Sequence, residues 1–478
     1  MNINTLKNQI LALLFAISCF FGQAQNKEIT ILAVNDMHAA IDRFPQFVAL
    51  VDSMRTVYPD LLLFAAGDNR TGNPANDMHA VSSYPMMTLM NKAGFNLSAV
   101  GNHEFDGNID GLRSVVNGSN FRYVCANMYA PDSLRLFIEP YKIFEVDGVK
   151  IGVLGLIQQG TNGLPDSHPN NLKNISFRPF DQVAEEYNWL RNHCDVFVLL
   201  VHEGYDESIE LLSQNPIPDV MISGHSHTPV QTTELHNGVL LTQAGSSLKY
   251  VTHITLQLQD GKITKKESNL MDVNAFSKID TAVQRIVNEF NSNESLLREL
   301  TMVSADFSNY EELGCMMTDA IRIETGADLA LQNPGGVRFN TFPKGMITVR
   351  DIYRLDPFNN NVIEYNLTGE EVLRLIKAAY IAEKKEAPYI SGATYEMEID
   401  KQGEIKKLQV KMNNGVKLDP KQKYKVVLNS YLSAVSLYEK DDTGKDLFIT
   451  SANMTIEYLE KQPAIDYKGV KRVTIKTK

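Results

Sequence analysis

Five short polar motifs in the first half of this chain each stand at the end of an apolar run. The first run, at 31–34, ends in Asn35-Asp36-Met37-His38. The other motifs are AAGDNRTG (65–72), VGNHEFD (100–106), LLVHEG (199–204) and ISGHSH (222–227). Because open α/β sheets bind ligands at the carboxyl ends of their strands, these motifs are expected to meet at one edge of the fold.

The apolar runs themselves indicate an α/β fold. They lie at 28–34, 61–66, 97–100, 150–156, 195–201, 219–223 and 239–242, and they are rich in Val, Ile and Leu. Strands of this kind are buried on both faces, so helices are expected to cover the sheet on each side. The segment at 44–57 has apolar residues at helical spacing and is expected to form one of these helices.

The length of 478 residues exceeds what a single hydrophobic core usually organises, so two domains are expected. Residues 277–300 carry apolar side chains on one helical face and are a candidate connector. The predicted limits are 26–275 for the first domain, 276–300 for a linker helix and 301–478 for the second domain.

Residues 1–24 predict a cleaved signal peptide. Lys7 precedes an apolar stretch at 10–21, and the small residues Gly22 and Ala24 follow it. The stretch is too short to span a bilayer, so cleavage after Ala24 is favoured over a membrane anchor. The protein is therefore expected in the periplasm or outside the cell, without stable membrane insertion. A weak lipoprotein-like box at 16–19 leaves lipidation of Cys19 as an alternative.

The net charge of −11 and the isoelectric point near 5.5 argue against a nucleic-acid surface. An anionic substrate would instead need local positive charge, supplied by metal ions or by placed arginines.

The motifs combine aspartate, asparagine and histidine donors and lack cysteine. Such donors favour hard or borderline divalent ions such as Mn, Zn, Mg or Ca. Taken singly, each motif is more often a polar turn or a buried histidine, but five motifs at matching strand ends favour a metal site. A carboxylate shared between two ions, best assigned to Asp68, would hold them about 3.5–4 Å apart and suits phosphate-ester hydrolysis.

This set of motifs resembles that of the calcineurin-like metallophosphoesterases. Together with the C-terminal half, it resembles the secreted 5′-nucleotidases, including the periplasmic UDP-sugar hydrolases, from about residue 29 to the end. The resemblance implies a four-layer α/β/β/α metallophosphoesterase domain followed by a mixed α/β 5′-nucleotidase C-terminal domain, with the site between them. Family members rotate the second domain to deliver substrate, which makes the 277–300 segment a candidate hinge.

The resemblance also implies two divalent metal ions and a set of ligands for them. The first ion would be held by Asp36, His38 and His227, the second by Asn102, His202 and His225, and Asp68 would bridge the two.

The family uses the histidine of the GNHEFD motif to stabilise developing charge or to protonate the leaving group. That residue is His103 here, and Asp106 would orient it. The pairing is physically reasonable, since a carboxylate favours the imidazolium that faces a phosphate. Glu104 is expected to have a structural role.

Two segments of the second half resemble substrate-binding parts of the family. NPGGVR (333–338) resembles an Asn-Gly-Gly-Gly-Ile-Arg loop, which implies that Asn333 and Arg338 contact the substrate. DPFNN (356–360) resembles the segment that supplies one aromatic wall around the base, here Phe358.

Two departures from the family pattern concern substrate choice. An arginine usually found near the position of Phe307 is absent from SADFSNYEELGC (304–315). NSYLSAVSLYEK (429–440) replaces a Gly-Gly-Asp-Gly-aromatic loop. Tyr438 is the predicted second aromatic wall, with Tyr431 as the alternative.

The predicted function is hydrolysis of nucleoside monophosphates, and also of UDP-sugars, by a secreted enzyme with two divalent metal ions. The small-molecule nucleotide is the expected partner. The altered second half leaves a 2′,3′-cyclic-nucleotide phosphodiesterase or a non-nucleotide phosphomonoesterase as alternatives. A non-enzymatic nucleotide-binding surface protein is disfavoured, because every expected ligand and the pair of His103 and Asp106 are present.

Overall fold

The computed structural model describes residues 26–81, 83–129, 138–160 and 162–478. The predicted signal peptide and Cys19 lie outside the described residues. Within the described part of the chain, no helix combines the length and the apolar character needed to cross a bilayer.

The first half of the chain builds two large sheets. Its strands are β1 Asn26–Val34, β2 Leu62–Ala65, β3 Leu97–Ala99, β4 Arg122–Val124, β5 Met128–Tyr129, β6 Ile138–Glu139, β7 Tyr141–Val146, β8 Val149–Ile157, β9 Ser176–Phe177, β10 Val196–His202, β11 Val220–Ile222, β12 Glu234–His236, β13 Val239–Thr242, β14 Tyr250–Gln259 and β15 Lys262–Asp272. The first sheet has the order β15-β14-β1-β2-β3-β4-β6, and the second has the order β12-β13-β11-β10-β8-β7. β1 to β4 are parallel to one another, as are β8, β10, β11 and β13.

Helices cover the outer face of each sheet. They are α1 Phe44–Val57, α2 Pro74–Asp77, α3 Tyr84–Ala93, α4 Asn108–Gly118, α5 Phe180–Glu186, α6 Tyr205–Gln214 and α7 Thr281–Phe290. In β1, Ile29 and Ile31 pack between the two sheets, whereas Leu32 and Val34 pack against helices on the outer face. The outer face of the second sheet packs on α5 and α6. The first half is therefore the expected four-layer α/β/β/α domain.

The helix predicted over 277–300 is shorter in the structure. α7 begins after Asp280, whose side chain accepts the backbone N–H groups of Ala282 and Val283, and it ends at Phe290. A 3₁₀ turn follows at Glu294–Leu296. The intervening Asn-Ser-Asn at 291–293 favours turns over helix, which explains the early end. Because α7 packs into the helical layer of the first half, the connection between the halves follows it.

The second half is mixed α/β, as expected. Its strands are β16 Glu299–Val303, β17 Leu329–Gln332, β18 Gly345–Thr348, β19 Asn361–Thr368, β20 Tyr389–Ser391, β21 Ala393–Ile399, β22 Ile405–Met412, β23 Lys423–Asn429, β24 Lys445–Thr450, β25 Ala464–Ile465 and β26 Val473–Thr477. Its helices are α8 Tyr310–Thr325, α9 Val349–Leu355, α10 Gly369–Ala382, α11 Ser430–Val435 and α12 Ser451–Glu460. The central sheet has the order β20-β17-β23-β19-β24, and α10 packs on it.

Candidate metal centre and active site

Most of the predicted metal ligands have a backbone conformation that residues other than glycine rarely adopt. Positive φ angles occur at Asp36 (48°), His38 (47°), Asp68 (52°), His225 (77°) and His227 (57°). This left-handed region is uncommon for residues with a Cβ, and such residues collect at functional sites. The turns after β1, β2 and β11 therefore carry backbone strain at the positions of their candidate ligands.

Backbone contacts hold the first three motifs together at one edge of the fold. The N–H groups of Asp36 and His38 donate to the carbonyls of Gly67 and Asp68, each at 3.0 Å. Gly67 has a φ of 84°, and a Cβ there would lie 2.8 Å from the backbone nitrogen of Gly101. The close approach of the second and third motifs therefore requires glycine. β10 and β11 of the second sheet bring the last two motifs to the same edge.

Asp36, His38 and His227 form the first group of candidate metal ligands, with one ligand atom from each within 4.8 Å of the others. His227 Nε2 lies 3.3 Å from Asp36 Oδ1 and 2.9 Å from His38 Nε2. Asp36 is buried, and among the described residues its Oδ1 has no hydrogen-bond partner. An unpartnered carboxylate oxygen that faces two imidazole nitrogens is a donor set that fits a divalent cation.

Asp68, His202 and His225 form a second group within the same distance limit. Asn102 Oδ1 lies 3.1 Å from both His202 Nε2 and His225 Nδ1. His202 Nε2 is also 3.1 Å from Asp68 Oδ2. The Nδ1 of His202 donates to the carbonyl of Ala66 at 2.7 Å, which leaves Nε2 to face the site as a ligand atom.

Asp68 links the two groups, because it forms a third group with His38 and His103. Burial raises the pKa of Asp68, but His202 and His103 together lower it well below its usual range. Burial likewise lowers the pKa of His202, while Asp68 and Asp36 raise it to about 10. Carboxylates that favour a proton on a neighbouring histidine also favour a bound cation, so the electrostatics of the site suit metal binding.

Glu104 has the structural role expected from the sequence. Its carboxylate accepts the backbone N–H groups of Asp68 and Asn69, each at 2.9 Å, and of Gly101 at 2.7 Å. The side chain is buried below the turns and holds the second motif against the third.

His103 and Asp106 form a close pair beside the metal groups. His103 Nδ1 lies 2.7 Å from Asp106 Oδ2, and His103 Nε2 lies 3.8 Å from Asp68 Oδ2. Burial lowers the pKa of His103, but Asp68 and Asp106 together raise it above its usual value. The imidazole is therefore held in one orientation and is easier to protonate than a free histidine.

The second half places two predicted residues directly over this centre. Arg338 Nη2 is 3.0 Å from His38 Nε2, and its guanidinium carbon lies 5.6 Å from the centre of the Phe358 ring. The Phe358 ring stacks on His103 with centroids 5.5 Å apart. Asn333 lies deeper in the second half, where its side-chain oxygen accepts from Asn429 at 2.8 Å.

A cavity of about 400 Å³, here called the interdomain cavity, lies where the two halves meet. The predicted residues that line it are Asn102, His103, Asp106, His225, His227, Asn333, Arg338 and Phe358. The two candidate tyrosines differ in position. Tyr431 lines the cavity, whereas Tyr438 packs half-buried against the apolar cluster under α10, with Lys440 Nζ 4.6 Å from its ring.

Several lining residues are not marked by any motif in the sequence. Asp166 and His168 come from the loop after β8, and Glu383 and Lys384 follow α10. Their positions depend on how the two halves dock, which no local pattern encodes. Lys384 and Arg338 are the lysine and the arginine among the lining residues.

Comparisons with known proteins agree with this architecture. The calcineurin-like phosphoesterase family model matches residues 29–229, and the model of the 5′-nucleotidase C-terminal domain matches residues 293–436. Protein UshA of Yersinia enterocolitica is 27% identical, with 92% of each chain covered. The 5′-nucleotidase of Vibrio cholerae is 26% identical, over 72% of this chain and 74% of its own.

A solved structure shares the fold of both halves. The 5′-nucleotidase precursor from Thermus thermophilus superposes with a TM-score of 0.83 at 22% identity, over 94% of this chain and 99% of that chain. The two family models match a segment of each half, and these segments contain the residues that line the interdomain cavity. The donor groups fit the divalent metals that calcineurin-like phosphoesterases use. The chain belongs to the 5′-nucleotidase family of metal-dependent phosphoester hydrolases.

Proposed function

We propose that the protein is a 5′-nucleotidase with two divalent metal ions, which hydrolyses nucleoside monophosphates to nucleoside and phosphate and also accepts UDP-sugars. The observation that carries the proposal is the position of Asp68, which forms one group with His202 and His225 and another with His103 and His38, a member of the first ligand group. In this proposal the ligands of one ion are Asp36, His38 and His227, those of the other are Asn102, His202 and His225, and Asp68 is shared.

The bound ions would act as Lewis acids toward the phosphoryl oxygens and the attacking water. His103 acts on the leaving oxygen. Because its Nδ1–H donates to Asp106, its Nε2 is the atom that carries a proton toward the interdomain cavity. Arg338 contributes a planar set of donors for the phosphoryl oxygens.

The interdomain cavity supports a nucleotide as substrate. Its size is that of a small-molecule site, and Phe358 and Tyr431 are aromatic rings among its lining residues. In this proposal the two rings flank the base, and Asn333 contributes an amide for polar contact. Tyr431 takes the role expected of Tyr438, because Tyr438 packs against the apolar cluster of the second half.

A substrate panel tests the proposal. Metal-free protein is reconstituted separately with Mn²⁺, Zn²⁺, Mg²⁺ or Ca²⁺ and assayed with AMP, UDP-glucose, 2′,3′-cyclic AMP, sugar phosphates and an aryl phosphate. AMP is expected to be cleaved with the highest kcat/KM, and Asp68→Asn is the matched inactive control. If no nucleotide is cleaved faster than the aryl phosphate, the nucleotidase proposal fails. A preference for the cyclic nucleotide would identify a phosphodiesterase instead.

The proposed site of action is the periplasm or the extracellular space, on the strength of the signal pattern at 1–24. Mass spectrometry of protein secreted from a host cell should find Gln25 as the first residue. Retention of residues 1–24 or a lipid on Cys19 would contradict this. The proposed domains are residues 26–275 and 301–478 with a connector at 276–300, and limited proteolysis should cleave preferentially in the part of that connector that follows α7.

A further inference from the structure

Asp166 contacts two of the proposed ligands of one metal ion, one with its side chain and one with its backbone. Its Oδ2 lies 3.3 Å from His225 Nε2. Its backbone carbonyl accepts the Nδ2–H of Asn102 at 3.0 Å. The opposite atoms of both partners, His225 Nδ1 and Asn102 Oδ1, face each other at 3.1 Å inside the ligand group. Asp166 is thus placed behind the ligands.

Each contact selects the form of the ligand that can bind a cation. A carboxylate that accepts Nε2–H fixes the neutral tautomer of His225 with the lone pair of Nδ1 directed into the ligand group. A carbonyl that accepts Nδ2–H fixes the amide of Asn102 with Oδ1 directed the same way. Carboxylates that orient metal-binding histidines in this manner strengthen metal binding.

Lys384, from the second half, contacts the same carboxylate. Its Nζ lies 2.9 Å from Asp166 Oδ2 and 3.1 Å from His225 Nε2. A lysine Nζ can only donate, so its contact with His225 Nε2 favours the tautomer in which Nε2 has no proton and Nδ1 carries it. Lys384 therefore competes with Asp166, which favours a proton on Nε2. Lys384 belongs to the C-terminal domain, so this competition depends on the position of that domain.

We propose that Asp166 is a positioning residue for the metal ion held by Asn102, His202 and His225, and that Lys384 weakens this action when the two domains are closed. The inference rests on the proposed function, because it requires those three residues to be ligands. It links the position of the C-terminal domain to metal affinity through one shared carboxylate.

Titration of the metal-free protein with Mn²⁺ tests the inference, with free Mn²⁺ counted by its EPR signal. Asp166→Asn is expected to weaken the affinity for one of the two bound ions by about 10- to 100-fold and to leave the affinity for the other unchanged. Asp166→Glu, which keeps the charge, should recover part of that loss. Lys384→Met is expected to raise the affinity for the same ion several-fold in the wild-type background and to have a smaller effect in the Asp166→Asn background.

Lys385→Met is the matched control, because Lys385 is adjacent in sequence but pairs with Glu404 at 2.8 Å. It should leave both Mn²⁺ affinities unchanged. The inference is overturned if Asp166→Asn binds both ions as the wild type does, or if Lys384→Met acts equally in both backgrounds. A wild-type protein that binds fewer than two ions would instead refute the proposed function, so the two failures are distinguishable.

Discussion

At the scale of single residues, the active site depends on partners that decide which atom of a side chain faces the cavity. The carbonyl of Ala66 holds His202 Nδ1, and the carboxylate of Asp106 holds His103 Nδ1. In both rings Nε2 is therefore the nitrogen that faces the site. A carbonyl partner leaves His202 as a neutral ligand, whereas a carboxylate partner makes His103 easier to protonate and suits it to donate a proton.

His103→Ala should lower kcat for AMP by about 100- to 10,000-fold, because it removes the proposed proton donor to the leaving oxygen. Asp106→Asn should have a smaller effect on kcat and should shift the alkaline limb of the pH–kcat profile, where His103 loses its proton, to lower pH. The shift follows because the Asp106 carboxylate helps to raise the pKa of His103, so its loss lowers that pKa.

Steady-state kinetics across pH measures both effects. His236→Ala is the matched control, since His236 pairs with Glu234 at 2.6 Å in the β12 region and does not line the interdomain cavity. A kcat for His103→Ala equal to that of the wild type would remove His103 from the reaction.

At the scale of elements, much of the site could be predicted because parallel strands bring their carboxyl ends to one edge. The helix at 44–57 has the predicted limits, and the strand ends at Val34, Ala65 and Ile222 lie within one residue of the ends of the predicted apolar runs. The positive φ angles of the ligand turns could not be predicted from the sequence, since Asp and His occur in many turn types. The early end of α7 was not predicted, because Leu297 and Leu300 resume the apolar pattern after the polar residues at 291–295.

Glu104→Gln should reduce the free energy of unfolding by about 3 kcal/mol. The amide replaces a carboxylate that accepts three backbone N–H groups, and its own NH₂ would point at donors. Urea unfolding measures the change, and Glu186→Gln, an exposed partner of Arg178, is the control expected to be nearly neutral. An unchanged midpoint for Glu104→Gln would mean that the turns do not depend on this carboxylate.

Asp356, at the end of α9, gives a pH-dependent contribution to stability. Burial raises its pKa from 3.8 to about 6, although Ser451 at the start of α12 donates to its carboxylate. The contribution of Asp356 to the free energy of unfolding is therefore fully present below the pKa of the unfolded state, and it is lost as pH rises through about 6.

Asp356→Asn should consequently gain stability relative to the wild type as pH increases, by about 1–2 kcal/mol between pH 5 and pH 8. Urea unfolding at several pH values measures the difference between the two proteins. A difference that stays constant with pH would show that Asp356 does not titrate in this range.

At the scale of the whole molecule, the docking of the two halves creates the part of the cavity lining that the sequence could not predict. Asp166 and Lys384 come from two separate loops and line one cavity only where the two halves meet. Tyr438 was the expected aromatic, yet its ring is occupied by packing in the second half. In the proposed function, substrate choice is therefore a property of the interface between the halves, whereas metal binding is a property of the first half.

Removal of metal should therefore destabilise the first half selectively, since all proposed ligands lie between residues 36 and 227. Binding to the folded state alone contributes about 2.7 kcal/mol per ion at a free concentration 100 times its Kd. Calorimetry with and without a chelator should show a lowered transition for the first half and an unchanged one for the second. Equal lowering of both transitions would contradict this assignment.

In the proposed site Asp68 bridges two metal ions. EPR spectroscopy of protein loaded with Mn²⁺ tests this bridge, because two ions that share a bridging ligand are magnetically coupled. We expect two Mn²⁺ ions per chain with a coupled spectrum, and uncoupled or singly occupied sites in Asp68→Asn. A wild-type spectrum from one isolated Mn²⁺ ion per chain would contradict it.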